Sequence, residues 1–356
     1  MVQGKEQGKC MKVDVIIPVY KPDESLFTLI ARLEEQTLPV QNILLMNTEE
    51  KYFEQLVFGS RFPEQYGNVR VFHLSKREFD HGGTRRSGVL KSDADYFVMM
   101  TQDAMPADEF LIEKLLAAFR PSEGADTKAV TAEAAGAEAV TAKATGAEAD
   151  TGGQTGARQT AVVYARQLPN RGCKDIERCS RLWNYPPKSQ RKSMEDLDRL
   201  GIKTYFCSNV CAAYSRKIYD ALGGFVKHTI FNEDMLYAAK AVQNGYEIAY
   251  AADAKVFHSH NYTCVQQFHR NFDMGVSQAQ HPEVFAKVPA EGEGKKLVTH
   301  TVSYLKEQKK GYLVPKLYWV SAWKYAGYLL GKHYRSLPDA LVRLCSDNKT
   351  YWDKKV

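Results

Sequence analysis

The sequence predicts an α/β fold: a mostly parallel sheet with helices on both faces, followed by a helical extension. Two observations carry this. Apolar, β-branched runs alternate with amphipathic segments over the first hundred residues, as strands and crossover helices do in a parallel sheet. From about residue 265 the strand signal stops and helical spacing continues to the end. The length of 356 residues suffices for one large domain plus an appendage.

Residues 1–10 are polar and read as a disordered tail. Val13–Tyr20 (VDVIIPVY) is a compact apolar run ending near Pro22, the signature of a buried parallel strand. Asp23 or Ser25 then caps a helix carrying Leu26, Leu29, Ile30 and Leu33 at helical spacing. A second strand is expected at 41–46 and a helix near 49–58. A third strand follows at Val69–Leu74, and the glycine-bearing EFDHGGTRRSG leads into a helix ending near Lys91. The fourth strand, 96–101, stops at Gln102-Asp103. Ligands of such sheets bind where strands end and loops begin.

Residues 122–160 break the pattern with a tandem repeat, VTAEAAGAEA then VTAKATGAEA, and no large apolar side chain. Too little surface is available there to offset ordering entropy, so the segment reads as a flexible insertion. Strand character returns at 161–166. A helix from about Glu233 stops at Gly245, a common C-terminal cap, and short strands at 246–250 and 255–257 end at His258-Ser259-His260. The folded domain is placed at 11–270 and the helical region at 271–356.

The formal charge, 48 − 42 = +6, is too dilute for a dedicated nucleic-acid binder. Seven scattered cysteines without a C-x-x-C pair suggest a reducing compartment, and no stretch reads as a signal peptide or a membrane-spanning helix. A cytoplasmic protein is expected. Its C-terminal part sets many Lys and Arg beside Tyr312, Tyr318, Trp319, Trp323, Tyr325, Tyr328 and Trp352. That mixture suits peripheral contact with a membrane surface as well as it suits helix packing.

Several residues carry candidate chemistry. Asp103 follows a buried strand, where a carboxylate can share a divalent ion with a diphosphate; capping a helix opened by Pro106 is the alternative. Asp234, in Asn232-Glu233-Asp234, is placed either as a general base or as a complement to a helix dipole. His258 and His260 are expected to divide their roles, one as ligand and one for packing, rather than hold one ion together. Arg85 and Arg86, in a loop whose glycines admit a ligand, are suited to meeting phosphate.

In order along the chain, VDVIIPVY, EFDHGGTRRSG, MMTQDAMP, YARQLP, RLWNYPP, GIKTYFCSN, GGF, NEDMLYAAKAVQNGY, AKVFHSHNYT and QQFHRNFDMGV resemble the family 2 glycosyltransferases. The likeness is strongest to their rhamnosyltransferase-like branch and spans roughly residues 12–276, omitting the insertion. It implies a GT-A fold, in which a Rossmann-like nucleotide half joins an acceptor half in one sheet. It also implies a Mg²⁺ or Mn²⁺ ion and inverting transfer of a sugar, L-rhamnose from dTDP-rhamnose, to a saccharide or lipid-linked oligosaccharide acceptor. By that resemblance Asp103 and His258 contact the metal and Asp234 is the catalytic base. Pro18, Tyr20, Asn47, Thr48, Arg85, Ser208, Asn209 and Glu233 then surround the nucleotide sugar. Three positions depart from the pattern. Gln102-Asp103-Ala104 holds a single acid, Arg86 replaces an Asn, and Asn47 replaces a pyrimidine-reading Asp.

Overall fold

The computed structural model describes residues 11–120, 158–286, 288 and 291–353. The expected tail and nearly all of the expected insertion lie outside them. The first half runs β1 (Val13–Tyr20), α1 (Ser25–Glu34), β2 (Asn42–Thr48), α2 (Glu50–Val57), β3 (Val69–Leu74), α3 (His81–Leu90), β4 (Tyr96–Met100), β5 (Met105–Pro106) and α4 (Leu111–Ala117). After the insertion come β6 (Thr160–Leu168), α5 (Asp175–Asn184), β7 (Gln190–Lys192), α6 (Leu197–Leu200), β8 (Cys211–Ser215), α7 (Arg216–Ala221), α8 (Glu233–Gln243) and β9 (Glu247–Phe257). Helices α9 (Cys264–Gln280), α10 (Pro282–Phe285), α11 (Glu291–Glu307), α12 (Val314–Lys332) and α13 (Asp339–Cys345) form the C-terminal part.

One sheet holds every strand among the described residues, in the order β3-β2-β1-β4-β8-β6-β9-β5, with β7 paired on β9. Pairings β2–β3, β1–β2 and β1–β4 are parallel, as the alternating pattern predicts. Beyond β4 the sheet is mixed: β8 is antiparallel to both β4 and β6, whereas β6 and β9 run parallel. The two short strands expected at 246–257 are one strand, β9, whose pairing with β6 shifts register between Ala165 and Arg166.

Side chains alternate across the strands and fill two cores, one per face. Val13, Val15 and Ile17 pack with Leu26, Leu29 and Ile30 of α1 and Leu111 and Leu115 of α4. Ile16, Leu44, Phe97 and Met99 face Val89, Ile218, Tyr237 and Phe225 on the opposite side. A third cluster joins Ile230 to Phe272 and Val276 of α9 and to Val342, Cys345 and Tyr351 near the C-terminus.

The register brings the catalytic candidates to one edge. Met100 pairs with Cys211, so the segment after β4 faces the one before β8. Leu168 pairs with Phe257, so β6 and β9 end side by side, and Met105 of β5 pairs with the same Phe257.

Candidate active site

Asp103 sits in the turn between β4 and β5. The strand β5 occupies Met105–Pro106 and α4 starts only at Leu111, so the helix-capping alternative for Asp103 is corrected. Its Oδ1 lies 3.5 Å from His258 Nε2 and its Oδ2 lies 3.0 Å from His260 Nε2. The two Nε2 atoms are 3.0 Å apart. Thus both histidines converge on one point, against the expected division of roles. Residues two apart in extended chain share a face, and His258 and His260 leave the end of β9 that way. One oxygen and two imidazole nitrogens, all within 4.8 Å of one another, form a donor set that fits a divalent ion. Two nitrogens suit Mn²⁺ better than Mg²⁺.

The cluster is held from behind. His258, almost buried, donates from Nδ1 to Gln167 Oε1 at 3.0 Å, which fixes the tautomer with Nε2 as the free lone pair. The same Oε1 accepts from Arg181 Nη1, and Gln167 Nε2 donates to the Tyr185 hydroxyl at 2.6 Å and to Ser208 Oγ at 3.0 Å. Burial opposes ionisation of Asp103, but the two imidazoles beside it outweigh that and hold its carboxyl well below the usual range. Burial also pushes the His258 imidazole down, keeping it neutral and able to ligate.

Ser208 leads directly to Asp234. The Asn209 amide donates to Asp234 Oδ2 at 3.0 Å, and Asn209 Nδ2 donates to Glu233 Oε1 at 3.0 Å. Both acids begin α8, whose N-cap Asn232 is in the left-handed region at φ 62° and turns the chain sharply into the helix. Glu233 is buried and ion-paired with the equally buried Arg85 at 3.2 Å. Burial raises its pKa, but Arg85, His81 and Asn209 more than offset that and the net shift is downward. Asp234 is half-buried. Burial first, then the neighbouring Glu233 charge, pushes it up to about 7, the range suited to a general base at neutral pH.

The remaining predicted residues lie at the ends of β1 and β2 and on α3. Tyr20 ends β1 half-exposed, its peptide held by Gln102, whose Oε1 accepts from Tyr20 N at 2.8 Å and whose Nε2 donates to Tyr20 O at 3.1 Å. Its ring packs edge-on against Tyr52, with Lys21 and Lys76 over its face. Pro18 is half-buried in β1. Asn47 and Thr48 are buried at the end of β2, and Asn47 Nδ2 bonds His73 Nδ1 at 2.9 Å. Beside them a cleft of about 370 Å³ is lined by Glu49, Lys51, His73, Leu74, Ser75 and Glu78. Arg86 Nη1 donates to the carbonyls of Gly223 and Phe225.

Residues without an assigned role complete the site. Gln167 is the central support, and its signal was a lone amide inside an apolar strand; it is 1% exposed. Tyr262 stacks on His260 at 4.7 Å, and Arg270 of α9 lies over Tyr262 at 4.8 Å and Phe231 at 5.4 Å.

A mixed sheet joining two halves, with an acid-and-histidine cluster and a base-like carboxylate at one edge, defines a GT-A glycosyltransferase. The family model for glycosyl transferase family 2 matches residues 14–140. The chain is 33% identical over 96% of its length, and 96% of the relative's, to the O-antigen chain rhamnosyltransferase RfbN of Salmonella typhimurium strain LT2. It is 36% identical to the O-antigen chain rhamnosyltransferase WbaN of Salmonella anatum, covering 80% of this chain and 79% of that one. Among solved structures it is similar to the mannosyltransferase PcManGT of Pyrobaculum calidifontis, in complex with GDP-Man and Mn²⁺. The TM-score is 0.50 at 14% identity, over 97% of this chain and 88% of the other, a likeness of fold. The chain belongs to the family 2 glycosyltransferases and is a glycosyltransferase enzyme.

Proposed function

We propose that the protein transfers L-rhamnose from dTDP-rhamnose, with inversion, onto a saccharide or lipid-linked oligosaccharide acceptor in cell-surface polysaccharide synthesis. The work is done in the cytoplasm, with peripheral contact of the C-terminal helices at the membrane. The donor sugar rests on the likeness to two O-antigen chain rhamnosyltransferases over most of the chain. The chemistry rests on one observation: a continuous polar path, His258–Gln167–Ser208–Asn209, linking the Asp103 cluster to Asp234.

Asp103, His258 and His260 would hold a divalent cation, which when bound supplies positive charge against the departing diphosphate. Asp234 Oδ takes the proton of an acceptor hydroxyl. The freed oxygen attacks the anomeric carbon from the face opposite the nucleoside diphosphate, so the new glycosidic bond forms as the sugar–phosphate bond breaks. Tyr20, Asn47, Thr48 and the cleft beside β3 border the nucleotide, and Ser208 and Asn209 border the donor sugar. Glu233 acts through Asp234, and Arg85 is held by its ion pair with Glu233. Arg270 adds positive charge beside the cluster, where an anionic donor sits.

The test is nucleotide release from dTDP-rhamnose by purified protein with Mn²⁺ or Mg²⁺, with and without acceptor, against UDP-hexoses. Acceptor-stimulated release from dTDP-rhamnose is expected. Preference for a uridine sugar would remove the rhamnosyl assignment. Asp234→Asn should lower transfer by about 10²- to 10⁴-fold with donor binding kept.

A further inference from the structure

Helix α12 turns an aromatic stripe to solvent. Tyr318, Trp319, Tyr325 and Leu329 are 57%, 62%, 55% and 38% exposed, and Ala322 and Ala326 lie exposed between them. Spacings of three and four residues put all six on one face, and Tyr312, just before the helix, is also exposed. An aromatic row of this kind on a water-facing helix marks a contact surface.

The helix cannot roll to hide it. Its opposite face is set against α9 through glycines. A Cβ built on Gly331 would stand 2.1 Å from the Phe272 carbonyl oxygen, one on Gly327 2.3 Å from that of Phe268, and one on Gly275 of α9 2.4 Å from that of Tyr328. Tyr328 also donates its hydroxyl to Gln278 at 2.9 Å. Trp323 packs toward Phe268, so it leaves the outward stripe. Pairing of 268 with 327 and of 272 with 331 makes the helices parallel. The aromatic end of α12 therefore lies toward the N-terminus of α9, which starts four residues after His260.

Charge selects the occupant. Residues 308–338, which contain α12, hold six Lys and Arg and no acid, and Lys316 and Lys332 extend the stripe's own spacing at its two ends. A second copy would set these cations against themselves, whereas an anionic bilayer complements them. Tyr and Trp are the side chains that settle at a membrane–water boundary. No helix among the described residues is long and apolar enough to cross a membrane, so the geometry is that of a helix lying on the surface.

We propose that the Tyr318–Trp319–Tyr325–Leu329 stripe of α12 seats on anionic phospholipid and holds the mouth of the cleft at the bilayer surface. This names the face and the lipid class for the membrane contact already assigned to the C-terminal helices. It does not depend on which sugar is transferred.

The test is co-flotation of the full chain with vesicles of phosphatidylcholine alone or containing 30–40% phosphatidylglycerol (about the fraction that gives a strong negative surface potential), without nucleotide sugar or acceptor. Wild type should float with the anionic vesicles, less so at high salt, and with a blue shift of tryptophan emission. Trp319→Glu with Tyr325→Glu should weaken binding at least about tenfold while donor binding is kept, and Trp319→Phe should retain it. No flotation of wild type, or flotation unchanged in the double variant, would overturn the proposal. So would a wild-type dimer that the double variant dissolves without any vesicle binding. Failure here with rhamnosyl transfer to a soluble acceptor intact separates this proposal from the reading of the active site.

Discussion

Ionising Asp234 costs free energy because it is half-buried beside Glu233, which remains charged through its pairing with Arg85. A base must be ionised to act. Transfer should therefore fall as the pH drops below about 7, by about tenfold per unit well below it. Removing the Glu233 charge favours the ionised form of Asp234 and lowers its pKa. Glu233→Gln should accordingly move the acid limb of the pH–kcat profile to lower pH, while leaving Arg85 buried without its counter-charge. That loss is expected to cost about 3 kcal/mol of stability by denaturant titration. An unmoved acid limb would show that a different group sets it. A second residue test concerns Gln167, which touches His258 but not the ion position. Gln167→Ala should weaken divalent-cation affinity about 10- to 100-fold, read by titrating activity and thermal stability with Mn²⁺. Asp103, Asp234 and His258 stand out in the chain because each closes a recognisable strand or opens a helix. Gln167 and Arg270 do not, because their roles arise only when β6 and α9 come to lie beside β9.

At the scale of elements, what is legible depends on how local the cause is. The alternation from β1 to β4 reads directly, since each strand's apolar run is bounded by its own turn. The mixed half of the sheet does not: whether β8 runs with or against β4 is settled by residues more than a hundred positions apart. In β9 the stretch Ala251–Ala254 has weak strand preference, so the chain reads as two pieces, and pairing with β6 breaks there and resumes at Lys255. The α9–α12 contact rests on glycines that a helix-propensity reading counts only as weak points. Packing reverses their sign. Gly331→Ala places a methyl carbon against the Phe272 carbonyl and should cost about 1–3 kcal/mol, since neither backbone can yield without separating the helices. Gly294→Ala, on α11 with nothing within 4 Å of the added carbon, should instead stabilise by about 0.5–1 kcal/mol. Thermal melts of the two variants should move in opposite directions; a shift of the same sign in both would refute the packing argument.

For the molecule as a whole, the C-terminal segment holds the loop from which Asp234 springs. Asp80 Oδ1 accepts from the amides of Gly82, Gly83 and Thr229, and its Oδ2 lies 2.6 Å from His228 Nδ1. His228 stacks on Tyr351 with centroids 4.3 Å apart and rings 2° from parallel, and Tyr351 donates its hydroxyl to Gln280 of α9 at 2.9 Å. Two residues on from His228, Ile230 is buried in the same cluster as Tyr351, and Ser277 Oγ donates to the Phe231 carbonyl at 2.7 Å. The last helices thus set the entry angle of α8, although no residue after 270 has been placed at the reacting atoms. Tyr351→Ala removes the stack and frees the 226–231 loop. A base displaced by about 1 Å loses up to about 10²-fold in rate, so kcat should fall by about tenfold or more with donor affinity within about twofold of wild type. Tyr351→Phe keeps the ring over His228, loses only the bond to Gln280, and should stay near wild type. Amide exchange should quicken across 226–234 in the alanine variant alone. Equal kcat in the two variants, or exchange confined to the C-terminal segment, would mean that the loop holds itself and that the contact serves stability only.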